Sequence, residues 1–136
     1  MDNRPEMFSK ALADFFAPWV QELGLKPETS DADSVTLRLP NTDRLSRVGG
    51  MLCGQAMMGA ADTAMVLALI NQFGEFRPCT TVQMNTSFLK PLSNQDALVQ
   101  ARVIRAGKTL AFGEIDLRGA GDGKSVCRAS VTYALL

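Results

Sequence analysis

The sequence predicts an α+β fold in which an antiparallel sheet wraps around one long central helix, and three observations carry that prediction. Residues 55–70 are dominated by Ala, Met and Leu, hold no proline, and are apolar on almost every side, the signature of a buried helix. Four later segments alternate apolar and polar residues and are joined by short turns, the pattern of antiparallel neighbours. A sheet with one apolar face needs a cover, and the helix is the only element large enough to supply it.

In order, residues 7–23 carry apolar side chains at Phe8, Leu12, Phe15, Phe16, Trp19, Val20 and Leu23, a helical rhythm broken at Pro18 and ended by Gly24. Residues 34–39 alternate Val35, Leu37 and Leu39 with polar residues, so they form a strand that Pro40 closes. A loop at 41–48 leads to the Gly49-Gly50 bend and the central helix, which ends near Gly74. Strands follow at 80–89, 97–106, 110–118 and 125–135, the first with Val82, Met84, Thr86 and Phe88 on one side. The glycines at 119, 121 and 123 mark a hairpin between the last two.

The whole chain, 1–136, is the size of one domain. Fourteen basic and fourteen acidic side chains cancel, which removes any general case for nucleic acid or an anionic membrane surface. The central helix is too short for a span and carries Asp62 near its middle, so no membrane is expected. Its apolar surface exceeds what one sheet covers, so self-association is expected, a two-fold dimer at minimum.

Cys53, Cys79 and Cys127 form no close pair, and the polar start shows no secretory leader, which suits a reducing cytoplasmic setting. The chain has no histidine, so Ser-His-Asp and Cys-His schemes and the commonest zinc sites are excluded. Any chemistry must run on carboxylates, hydroxyls, amides, backbone donors or a cofactor. Asp62, alone in an apolar helix, is the candidate base or nucleophile, and the Gly54 or Gln55 amide at the helix N-terminus the candidate oxyanion donor. Eight residues separate Gly54 from Asp62, about 12 Å of helix at ~1.5 Å per residue, so one chain cannot bring both to a reacting centre. If both act, the site lies between two copies.

The run from Gly54 to Asp62, then Thr81-Val82-Gln83-Met84-Asn85-Thr86-Ser87-Phe88-Leu89-Lys90-Pro91, then Gly107-Lys108-Thr109-Leu110-Ala111-Phe112, resembles the hot-dog-fold acyl-CoA thioesterases of the phenylacetic-acid-degradation (PaaI-like) group. In that family a His-Gly-Gly triplet opens the central helix, and an acid nine residues after its His is catalytic. Here the triplet is Cys53-Gly54-Gln55 and the acid is Asp62, while Arg47 stands where the family has an amide residue. The resemblance implies a homodimer or dimer of dimers that hydrolyses aryl- or fatty-acyl-CoA at the dimer interface. It implies Asp62, Gly54 and Thr81 as catalytic residues, Thr81 holding the attacking water. Arg47, Cys53, Gln55, Asn85 and Lys108 are the candidate substrate-binding residues, with Asn85 read as a buried hydrogen-bonding residue and Lys108 as a partner for phosphate. The competing readings are a hot-dog module that binds acyl-CoA or lipid without hydrolysis, and a structural oligomer.

Overall fold

The computed structural model describes residues 3–136. In chain order the elements are α1 (Arg4–Asp14), α2 (Pro18–Gln21), β1 (Lys26–Ser30), β2 (Ser34–Leu39), α3 (Gly54–Phe73), β3 (Cys79–Phe88), β4 (Ala97–Ala106), β5 (Leu110–Gly119) and β6 (Ser125–Leu135), with a 3-10 turn at Asp43–Leu45. The strands form one sheet in the order β1-β2-β4-β5-β6-β3, every pair antiparallel. Helix α3 crosses its inner face, packing most on β4 and β2.

Local chemistry sets both ends of α3. Cys53 takes extended backbone angles as N-cap, and its Sγ accepts the Ala56 N–H at 3.4 Å. Gly74, at φ 79°, closes the helix in the left-handed region that only glycine enters cheaply. Between them Ala60, Ala61, Ala64, Met65 and Leu67 are fully buried against Val35, Leu37, Val99, Ile115 and Leu117 of the sheet. The closest approach is at Gly113 on β5, where an added Cβ would lie 2.4 Å from Met65 Sδ and 2.9 Å from the Arg102 carbonyl oxygen. By length and composition α3 is able to cross a membrane, yet most of it is buried within the fold.

Four details differ from the sequence expectation. The N-terminal helix is two helices, because Pro18 has no N–H to continue α1 and instead opens α2. Strand β1 was not expected, since Lys26-Pro27-Glu28-Thr29-Ser30 is polar and contains proline. It pairs only with β2, at an edge that tolerates both, and Arg38 of β2 bonds Glu28 across the pair. Strands β3 and β4 are not neighbours despite their short connection, for β5 and β6 lie between them. That connection crosses three strand spacings, about 14 Å, pinned by buried Leu92, whose carbonyl accepts the Leu52 N–H at 2.9 Å. Finally, a bulge between Thr81 and Gln83 turns Val82 outward, 58% exposed, instead of onto the face of Met84.

Strand β3 ends the sheet. Its outer edge has no strand partner among the described residues, and Val82, Phe88 and Leu89 along it are half or more exposed.

Candidate active site

Asp62 sits in the third turn of α3, half-buried beneath the β3 end of the sheet. Thr81 on β3 and Tyr133 on β6 are register partners, so strand pairing sets two hydroxyls side by side opposite the helix acid. Thr81 Oγ1 donates to Asp62 Oδ1 at 2.8 Å, and Tyr133 Oη donates to the same oxygen at 2.5 Å while lying 2.8 Å from the Asp62 carbonyl. Oδ2 takes no hydrogen bond among the described residues. Tyr133 is 2% exposed. Burial, reinforced by the Asp62 charge, pushes its phenol far above the usual range, so the hydroxyl remains a donor at any working pH. Burial, and then Asp62, also raise the Cys79 thiol.

A cleft of about 240 Å³ opens beside this cluster, walled by Phe15, Phe76, Val66 and Cys79 together with Thr81 and Tyr133. The Phe15 and Phe76 rings are 4.4 Å apart, centroid to centroid.

The other expected feature, the glycine at the start of α3, lies at the far end of the same helix stretch. Cys53 as N-cap satisfies Ala56, and its carbonyl accepts the Met57 N–H at 3.2 Å. The Gly54 and Gln55 amides stay unpaired among the described residues, as first-turn amides do. Gly54 is hemmed by the Phe88 ring, 3.3 Å from where a Cβ would stand. It lines a cleft of about 480 Å³ with Arg47, Met51, Met57, Phe88 and Lys90. Arg47 and Gly54 are therefore brought together as expected, and Lys90 joins them.

The remaining candidates are scattered. Cys53 and Gln55 line a separate cleft of about 230 Å³, with Trp19 and Arg44, on another side of the helix start. Asn85 is exposed, contrary to its reading as a buried residue, because strand alternation turns it to the outer sheet face beside Ser130 and Arg128. Lys108 is exposed in the β4–β5 turn and lines neither the Gly54 cleft nor the cleft walled by Thr81 and Tyr133. Tyr133 was missed. In the sequence it stands among the apolar alternation of the last strand, and the available clue was that a buried tyrosine hydroxyl must find a partner.

The sequence profile of the thioesterase superfamily matches residues 49–126, from the glycine bend into β6. The chain belongs to the thioesterase superfamily. The Pseudomonas aeruginosa protein PA1618 is 29% identical to it over 116 residues, 84% of this chain and 79% of that one. A crystal structure of a mutant of that thioesterase superimposes at TM-score 0.84 and 25% identity, covering 97% of this chain and 93% of the other. Human acyl-coenzyme A thioesterase 13 is 34% identical over 59 residues, 43% of this chain and 42% of its own. Mouse thioesterase superfamily member 2 shares the fold alone, at TM-score 0.87 and 20% identity over the full length of both chains. The fold of this thioesterase is thus the hot-dog fold, and its reaction class is thioester hydrolysis.

Proposed function

We propose that this thioesterase hydrolyses acyl-coenzyme A, with each active site assembled from two copies of the chain. One observation carries the reading: a carboxylate midway along an apolar helix, with one oxygen fixed by two hydroxyls and the other unengaged, beside an apolar cleft. The acyl carbonyl oxygen rests against the Gly54 amide of one copy, where the helix dipole favours the negative charge that develops on attack. Asp62 Oδ2 of the other copy attacks the carbonyl carbon directly or takes a proton from water as it attacks. Thr81 spends its proton on Asp62, so its oxygen holds that water as an acceptor. When water attacks, the C–S bond breaks and the proton taken by Asp62 passes to the leaving thiolate; when Oδ2 attacks, the C–S bond breaks to leave the acyl group as an anhydride on Asp62, which water then hydrolyses. Either way, water and thioester become carboxylic acid and coenzyme A thiol.

Three features support a site shared between copies. Gly54 and Asp62 stand eight residues apart on one continuous helix, about 12 Å along its axis, too far to serve one carbonyl. The ten-residue strand β3 offers an open edge with exposed Val82, Phe88 and Leu89, which a second β3 would cover. Thr86 Oγ1 on that strand is buried without a hydrogen-bond partner among the described residues.

Arg47 and Lys90 at the mouth of the Gly54 cleft suit the phosphates of coenzyme A, and the cleft beside Asp62, walled by Phe15 and Phe76, suits an aryl or short aliphatic acyl group. This chain's own side chains and amides fill every role, so the proposed reaction needs no metal or redox cofactor. We assign the enzyme to the PaaI-like branch, as a cytoplasmic dimer or dimer of dimers. Acyl-coenzyme A hydrolysis by this human relative, as its name states, runs in the same direction.

The test is free-thiol release from a panel of aryl- and fatty-acyl-CoA esters by the wild type, Asp62→Asn and Asp62→Ala. Turnover is expected to fall about 10²–10⁴-fold in both variants. Full turnover in Asp62→Asn, or a fully active monomer, overturns the reading.

A further inference from the structure

We infer that Tyr133 is a positioning residue for the reaction: with Thr81 it locks the Asp62 carboxylate so that Oδ2 alone faces the substrate. The inference rests on Asp62 being the catalytic base or nucleophile and goes beyond that by naming what aims it.

The geometry is specific. Both hydroxyl donors converge on one oxygen, Oδ1, from adjacent strands, at 2.8 Å from Thr81 and 2.5 Å from Tyr133. A carboxylate on a helix has a rotatable side chain, and a single donor leaves it able to swing about the bond it keeps. Two donors from different strands fix its plane. Tyr133 is the more rigid of the two, since its ring is buried while Thr81 lies on the exposed edge strand. Its hydroxyl also lies 2.8 Å from the Asp62 backbone carbonyl, which ties the ring to the helix backbone as well as to the side chain. A misplacement of ~1 Å at a reacting group costs on the order of 10²-fold in rate, so the aim of this carboxylate bears directly on kcat.

The titratable groups facing the carboxylate are Cys79 from β3 and Tyr133 from β6, with the neutral Thr81 hydroxyl beside them, and no cation bonds it among the described residues. Hydroxyl donors therefore do the work that an arginine or lysine would otherwise do, and they leave the carboxylate's charge available for attack.

Tyr133 is the sole tyrosine of the chain, so biosynthetic replacement of tyrosine by 3-fluorotyrosine modifies this position alone. The experiment measures kcat and KM for acyl-CoA hydrolysis, with folding followed by circular dichroism, in Tyr133→Phe, Thr81→Ala, the double variant and the fluorotyrosine enzyme. Tyr133→Phe is expected to lower kcat about 10–100-fold with KM within twofold. The double variant is expected to lose less than the product of the two single losses, since both act through one oxygen. A residue with a merely structural role would lower thermal stability and leave kcat per folded molecule unchanged, which overturns the inference. If Tyr133→Phe does not fold, the fluorotyrosine enzyme decides: its altered donor strength changes kcat if the hydroxyl aims the acid, and an unchanged kcat overturns the idea. Asp62→Asn runs beside these variants. Its inactivity together with full activity in Tyr133→Phe refutes the role of Tyr133 alone, whereas an active Asp62→Asn removes the catalytic reading beneath it.

Discussion

A site built from two copies can be tested by mixing two inactive proteins. Gly54 is the first residue of α3, and Cys53 before it has φ −74° and ψ 151°, the extended conformation that a residue preceding proline prefers. Gly54→Pro therefore deletes the proposed oxyanion donor at a position where helices accept proline. Its cost is a shift of a few tenths of an ångström in the Phe88 ring, now 3.3 Å from the glycine's missing Cβ. Loss of one such donor slows turnover about 10²–10³-fold, and Asp62→Asn is expected to lose activity through the other half-site. When equal amounts are unfolded together and refolded, half of the dimers are mixed. Each mixed dimer has one site with both natural residues and one with neither, so the mixture regains about a quarter of wild-type activity. The assay is thiol release before and after co-refolding, with each variant refolded alone as control. Activity that stays at the sum of the two variants refutes the shared site, and a fully active Gly54→Pro refutes the oxyanion assignment independently.

Gly113→Ala drives a Cβ against Met65 Sδ and the Arg102 carbonyl, and because backbone cannot yield, a loss of about 1–3 kcal/mol is expected, read as a lower Tm in calorimetry; an unchanged Tm contradicts the close approach. Lys90→Ala and Arg47→Ala are expected to raise KM for acyl-CoA several-fold and leave KM for an acyl-pantetheine ester, which lacks the nucleotide phosphates, unchanged. The Asn41 N–H, and then Arg38, hold the Asp96 carboxyl below its ordinary value. Its contribution is thus present at neutral pH and is lost as pH falls below the unfolded carboxyl value, about 3.9. Denaturation curves for Asp96→Asn should accordingly show a shallower acid limb than wild type. Burial, and then Asp116, push the Cys127 thiol up to about 11, so a thiol reagent at pH 8 should modify native Cys127 far more slowly than the half-exposed Cys53.

Helix α3 and strands β2, β4, β5 and β6 were legible because their burial comes from repeating apolar positions, which is what periodicity reports. Strand β1 was illegible for the opposite reason: Lys26, Glu28, Thr29 and Ser30 are exposed, and the strand exists through main-chain pairing with β2 and the Arg38 bonds. Strand order was also hidden. A short link reads as a hairpin, and only the pinning of Leu92 to Leu52 shows that this one crosses to the middle of the sheet. At the candidate site, Asp62 was legible as a lone carboxylate in an apolar helix and Thr81 through the resemblance, and the helix arithmetic separated Gly54 from Asp62. Tyr133 escaped because its ring obeys the apolar alternation of β6, and only the strand register reveals where its hydroxyl goes. Asn85 failed in the converse way, for a polar side chain on an edge strand has no need to be inside.

The uncovered margin of β3 brings a hazard of its own. The outward-facing amides and carbonyls of this ten-residue strand form a template for any extended peptide, and Val82, Phe88 and Leu89 make that template sticky. Substitutions that keep two copies from meeting should therefore surface first as inclusion bodies and thioflavin-positive deposits, before any kinetic defect can be measured. Charged side chains placed along this rim, Val82→Lys for example, would keep such variants in solution.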